Sequence, residues 1–240
     1  MIDRAQLADN LEHIRSRMHA AAVRAQRDAA TVTLVAVSKG QPAATLQAAY
    51  ELGVRDFGES YLEEALPKIA AVEAWLAARG AAHDPIRWHL VGHLQSRKAA
   101  SAMGPFALVH SVDRIKIAHK LAQVAQRHRT QLPILLEVNV AQEHSKYGFA
   151  CDDVVPAVAA MASLSALRIT GLMTIAPLVE APEQARPVFH QLRLLRDTLR
   201  AEFPAVGWDH LSMGMTDDFE VAIEEGATLV RIGRALFGER

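Results

Sequence analysis

Apolar and polar positions along the chain fall into two alternating kinds of segment. From Ile2 to about Arg27, Leu7, Leu11, Ile14 and Met18 recur at helical spacing with polar residues between them, which predicts an amphipathic helix ahead of any strand. After it, short apolar runs alternate with longer helical patterns. The runs predict strands at Val32–Ser38, Arg55–Gly58, Trp88–Gly92, Leu108–Ser111, Ile134–Val140, Arg168–Ile175, Trp208–Met213 and Leu229–Ile232. Helices are expected at Pro42–Leu52, Tyr61–Arg79, Arg114–His128, Asp152–Ser163, Pro182–Phe203 and Asp217–Glu225.

Strands that alternate with helices imply βαβ units and a parallel sheet. About eight such units in 240 residues match a (β/α)8 barrel with an additional N-terminal helix. A doubly wound open sheet is the alternative, because periodicity does not show whether the sheet closes. No Gly/Ser-rich linker or break in composition divides the chain, so residues 1–240 are expected to form a single domain.

Composition narrows the function classes. Lys and Arg number 26 against 27 Asp and Glu, so there is no basic excess of the kind that marks a nucleic-acid surface. No apolar run approaches the ~20 residues of a membrane span. The N-terminus, MIDRAQLADN, lacks the apolar core of a signal peptide. The one cysteine, Cys151, rules out an intrachain disulfide and reads as a tolerated thiol near a helix start. A cytoplasmic protein is the expectation.

In a barrel of this kind the C-terminal ends of the strands carry the site. Here Lys39 closes the first strand, Glu59 and Ser60 the second, Asn139 the fifth and Ser212 the seventh; Arg231 with Gly233 closes the eighth. Lys39 ends the apolar run LVAV, a setting that partly desolvates an amine and makes it a nucleophile. The alternative is a surface lysine whose stem covers apolar neighbours. In SMGMTDDFEVAIEEGATLVRIGRALFG, Gly214 allows a turn, Thr216 is placed to cap the next helix, and Asp217 and Asp218 fall in its first turn. Ser212, the amides near Gly214 and Gly233, and Arg231 would make a phosphate cradle, unless this is an ordinary strand–turn–helix with a salt-bridged arginine. An amine and a phosphate cradle on one rim point to pyridoxal 5'-phosphate.

The blocks TLVAVSKG, DFGESYLEE, WHLVGHLQSRK, EVNVAQEHSKYG, GLMTIAP and SMGMTDDFEVAIEEGATLVRIGRALFG together resemble the pyridoxal phosphate homeostasis protein family, stand-alone relatives of the alanine racemase N-terminal barrel. The resemblance implies that Lys39 carries the cofactor as a Schiff base. It also implies that Ser212, Arg231 and Gly233 take part in phosphate binding, and that Met173, Met213, Gly214 and Arg234 line the pocket. Ser60 stands where the family pattern FGENY has asparagine, near the expected position of the ring. Thr216 and Ala227 replace serines common in the last block.

Other groups carry weaker signals. His89 and His93 have the spacing of a metal pair only on a helix, and WHLVGH reads as a strand entering a loop, so no metal is expected. Glu137, Asn139, Glu143 and Lys146 read as an ion-paired loop in preference to the pocket mouth. Glu63 and Glu64 read as a solvated helix face. Racemases of this barrel type take a second proton-handling group from an added domain, and the sequence ends at Arg240, directly after the eighth unit. The expectation is therefore a monomeric carrier without catalytic activity that takes part in intracellular homeostasis of the cofactor. Its acceptors would be free amino acids or apo-enzymes that depend on pyridoxal phosphate. The alternatives are a racemase or decarboxylase of low activity, or a cofactor-free aldolase using Lys39.

Overall fold

The computed structural model describes residues 2–143 and 145–239. Eight strands, β1 (Thr33–Val37), β2 (Asp56–Glu59), β3 (Arg87–Leu90), β4 (Phe106–Val112), β5 (Leu132–Glu137), β6 (Leu167–Met173), β7 (His210–Ser212) and β8 (Leu229–Ile232), form one closed parallel barrel in chain order. Thr33 to Ala36 pair in register with Leu229 to Ile232, which closes the ring between β1 and β8. The open-sheet alternative is thereby excluded, and the fold is an α/β TIM barrel with an additional N-terminal helix.

The helices are α1 (Arg4–Arg24), α2 (Ala43–Glu51), α3 (Leu62–Ala78), α4 (Ile115–Arg127), α5 (Val154–Met161), α6 (Arg186–Glu202), α7 (Phe219–Glu224) and α8 (Arg234–Phe237). Asp3 caps α1 by accepting the amide of Gln6 at 2.8 Å. The buried stripe of α1, Leu7, Leu11, Ile14 and Met18, covers the side of the barrel where α7 and α8 are only six and four residues long. Arg17 and Arg24 tie it to Glu220 and Glu224, each at 2.7 Å. The extra helix thus completes an outer layer that two short helices leave thin, and it steadies the loops after β7 and β8.

Two elements depart from the expected pattern. The segment after β3 is a 3-10 stretch, Ser96–Ala102, and a 3-10 turn at Pro182–Ala185 precedes α6, which starts only at Arg186. Thr216 does not cap α7. The N-cap is Asp218, and its carboxylate accepts the amide of Met215 at 2.6 Å.

Strand alternation sorts the core into two layers. Phe57, Trp88, Val109, Leu136, Leu172, Leu211 and Val230 face outward into the large core beneath the helices. Val35, Leu108, Leu135, Met173 and Leu229 form a separate small cluster inside the barrel. The same parity sends Asp56, His89, His110, Glu137, Ser212 and Arg231 inward, and all six are buried. A barrel interior this polar must satisfy its own hydrogen bonds.

Candidate cofactor site at the C-terminal rim

Lys39 continues the inward parity of Val35 and Val37 and reaches a cleft of about 430 Å³ at the junction of β1 and β8. Val37, Lys39, Gln41, Gly233, Arg234 and Phe237 line it. Lys39 is half-buried. A network anchors the residues on either side of it. Ser38 Oγ donates to Glu59 at 2.6 Å, and the Gly40 amide donates to Glu64. Lys68 joins these groups, donating to Ser38 O and Glu59 at 2.8 Å and to Glu64 at 2.7 Å. Lys68 and Glu59 are buried, and burial raises the Glu59 carboxyl above its ordinary value despite the hydrogen bonds from Lys68 and Ser38. Glu64 is therefore part of the scaffold of the Lys39 loop, not a solvated face; Glu63 pairs with Lys98.

Arg231 lies level with Val35 in the register of β1 and β8, below the cleft, and is buried. Its Nη1 donates to Ser212 Oγ at 2.7 Å and its Nη2 to Thr174 O at 2.9 Å. Burial lowers its pKa to about 10, so it stays cationic at neutral pH. Ser212 has a second partner, His110 Nδ1, at 2.8 Å. Glu137 ends β5 beneath the same rim. Burial, reinforced by the charge of Asp113, raises its carboxyl to about 7, and its Oε2 has no hydrogen-bond partner among the described residues.

The other expected site residues separate by depth. Met173 belongs to the inner cluster under the rim. Met213 is buried in the outer core. Gly214 has φ +91, and a Cβ there would lie 2.5 Å from Ala222 Cβ and 2.9 Å from Phe219 Cα, so the turn admits only glycine. A Cβ on Gly233 would stand 3.0 Å from Val37 O, which keeps that wall of the cleft thin. Arg234 lines the cleft but turns its guanidinium to Asp217, at 2.6 Å. Ser60 is half-buried at the end of β2, and its backbone packs on Gly92, where a Cβ would come within 2.2 Å of Ser60 O.

His89 and His93 point to different places. His89 faces the interior, whereas His93 stacks on Tyr147 with ring centroids 3.6 Å apart. The loop after β5 is ion-paired in part as expected: Lys146 bonds Glu143 and donates to Ala176 O at 3.0 Å, and Asn139 holds Glu143 O at 2.9 Å, whereas Glu137, read with them, is buried inside the barrel and not in that loop. His144 of that block lies outside the described residues. Sequence reasoning missed Lys68, His110 and Thr174. Lys68 left one signal: it is a lysine inside the buried stripe Leu62, Ala65, Ile69, Val72 and Leu76 of α3.

Residues 2–240 match the family described as the alanine racemase N-terminal domain. The pyridoxal phosphate homeostasis protein of Pseudomonas aeruginosa is 44% identical over 235 residues, which is 98% of this chain and 96% of that protein. Among solved structures, an unknown protein from Bifidobacterium adolescentis aligns with TM-score 0.91 at 33% identity, covering 99% of this chain and 98% of that one. PipY of Synechococcus elongatus, with PLP bound, aligns with TM-score 0.82 at 34% identity, covering 97% and 100%. Full-length matches at these identities, on a closed barrel with a lysine at the β1 rim, place the chain in the pyridoxal phosphate homeostasis protein family.

Proposed function

We propose that the chain binds pyridoxal 5'-phosphate through Lys39 and acts inside the cell as a carrier in the homeostasis of that cofactor, without turning over a substrate. The observation that carries this reading is an amine at the mouth of a glycine-walled cleft, with a buried arginine beneath it. The residues present fit the group. When bound, pyridoxal phosphate supplies an aldehyde carbon with which an amine condenses reversibly, releasing water.

Lys39 supplies that amine, and the Lys68 network fixes the backbone on both sides of it. The amides of Gly233 and Arg234, on the cleft wall, suit a phosphate group. The depth of Arg231 suits the ring better than the phosphate, which revises the role expected from sequence. Ser212, engaged by both His110 and Arg231, acts as a strut for the guanidinium. Met173 supports the floor, Ser60 flanks the ring from β2, and Met213 and Gly214 contribute backbone. Delivery would follow when an incoming amine, from a free amino acid or an apo-enzyme, takes the aldehyde from Lys39, and hydrolysis would return it to solution. We read the carrier as a monomer.

One observation favours a second reading, a pyridoxal-phosphate-dependent racemase or decarboxylase of low activity. Glu137 is a carboxyl titrating at about 7 whose Oε2 has no hydrogen-bond partner among the described residues, able to take and return a proton near the rim. Two measurements test the pair of readings. Borohydride trapping with peptide mapping is expected to place the cofactor on Lys39, and Lys39→Ala to remove it; trapping elsewhere in the wild type would sink the Lys39 assignment. Incubation with amino acids in deuterated water is expected to give no exchange at the α-carbon above that of free cofactor. Faster, Lys39-dependent exchange would replace the carrier with the enzyme.

A further inference from the structure

A continuous chain of hydrogen bonds crosses the barrel from its N-terminal rim to the floor of the site. Arg87, the first residue of β3, pairs with Asp56, the first residue of β2. Asp56 Oδ1 lies 3.0 Å from His89 Nε2, His89 Nδ1 lies 2.9 Å from His110 Nε2, and His110 Nδ1 lies 2.8 Å from Ser212 Oγ. Ser212 in turn accepts from Arg231. Neither histidine lines the cleft.

The directions of these bonds depend on one another, because a neutral imidazole has one donor and one acceptor nitrogen. Burial alone would raise the Asp56 carboxyl, but hydrogen bonds from His89 and Arg87 outweigh it and hold Asp56 below its ordinary value. Asp56 is thus an acceptor, and His89 Nε2 carries a proton. His110 bonds His89 on β3 and Ser212 on β7; burial first, then His89, Arg231 on β8 and His210 on β7, lower its pKa well below the ordinary value and keep it neutral. Arg87 and His89 share the Asp56 carboxylate, and the relay is read with His89 carrying one proton, on Nε2. With both rings neutral, His110 donates from Nε2 and accepts at Nδ1. The Ser212 hydroxyl must then donate inward, which leaves a lone pair for Arg231.

We propose that Asp56, His89 and His110 are positioning residues that set the proton polarity of Ser212, and through it the pose of Arg231, from the far end of the barrel. The link from Arg231 to a bound ring rests on the cofactor reading above; the polarity does not. Reversed polarity, with the proton on His110 Nδ1, would make Ser212 a double acceptor from His110 and Arg231 and turn its hydroxyl proton toward the ligand. The relay therefore selects between a serine that spans His110 and Arg231 and one that donates to the ligand.

Long-range ¹H–¹⁵N spectra of histidine-labelled, ligand-free protein between pH 6 and 8 read the tautomers directly. Both rings are expected as the neutral Nε2–H form. A proton on His110 Nδ1, or a doubly protonated His89 at pH 7.5, overturns the proposal. His89→Phe cuts the relay at a residue that touches neither Ser212 nor Arg231. It is expected to give His110 mixed tautomers and to weaken pyridoxal phosphate binding by about three- to tenfold, the scale of one lost hydrogen bond. If His110 stays wholly Nε2–H in that variant and affinity is unchanged, Ser212 and Arg231 set the polarity locally and the relay is wrong. Should the variant not fold, the wild-type tautomers still decide the polarity. A wild type that shows the expected tautomers but does not bind the cofactor sinks the cofactor reading alone.

Discussion

Replacing Glu137 by Gln should change the pH dependence of stability. In the folded chain, burial lifts this carboxyl from 4.5 to about 7. The folded state therefore binds the proton more tightly than the unfolded one. The stabilising contribution of the protonated group is complete below about pH 4.5 and is lost as pH rises through about 7. At ~1.4 kcal/mol per pKa unit, the shift amounts to roughly 3 kcal/mol once both states are ionised. Linkage assigns ~2 kcal/mol of that loss to the interval between pH 5.5 and pH 8.5. Glutamine keeps the shape and does not titrate. Other ionisable groups are common to both proteins and cancel in the comparison. Urea unfolding at pH 5.5, 7 and 8.5 should show the variant gaining ~2 kcal/mol on the wild type across the range, whatever its stability at the acid end. Parallel pH profiles would mean that Glu137 ionises at its ordinary value, and the proton-holding role in the enzymatic reading would go with it.

Lys68→Met strands the buried carboxylate of Glu59 and should cost roughly 3–5 kcal/mol in chemical denaturation, with much of the loss recovered by adding Glu59→Leu; a single variant within 1 kcal/mol of wild type would contradict the buried network. Gly214→Ala forces a side chain into positive φ against Ala222 and Phe219 and should cost more than ~1 kcal/mol while loosening cofactor retention, both read by thermal shift with and without pyridoxal phosphate. Ser60→Asn restores a longer amide beside the expected ring and should bind the cofactor as well or up to about tenfold more tightly. Much weaker binding by a folded variant would show a pocket rebuilt around serine.

The barrel was legible because its outer core is read from one-dimensional patterns. All eight strands lie where the apolar runs placed them, within a few residues, and Leu229–Ile232 coincides with β8. The errors share a cause: side-chain hydrogen bonds to the backbone of a nearby turn, which leave no mark on hydrophobic periodicity. Trp208 was assigned to a strand, but its indole donates to Phe203 O at 3.1 Å and stays in the loop, which shortens β7 to His210–Ser212. Thr216 has the chemistry of a cap, yet Asp218, drawn under the turn by the Met215 amide, fills that place. Strand ends revealed Lys39, Ser212 and Arg231 as rim candidates. What each touches was not legible, because His110 and Ser212 meet across strands 102 residues apart in sequence. A histidine at an inward strand position carries no periodic signature beyond its parity.

Two polar systems approach the rim from opposite sides of the barrel wall. On the outer side, Lys68, Glu59 and Glu64 hold the backbone before and after Lys39. On the inner side, the path through His89 and His110 ends on Ser212 and Arg231. Each buries charge, which is costly unless the partners are in place. A chain that only filled its barrel could have used apolar residues at these positions. Keeping both systems instead fixes two points, a backbone segment that presents an amine and a guanidinium below it, while the cleft between them stays open. That division fits the carrier reading proposed above: the backbone beside the amine and the guanidinium are each anchored, and the cleft gives an incoming amine a path to Lys39. It also sets the two anchors apart experimentally. Damage to the Lys68 network should disturb covalent attachment at Lys39, whereas damage to the histidine path should disturb recognition of the ring while attachment persists.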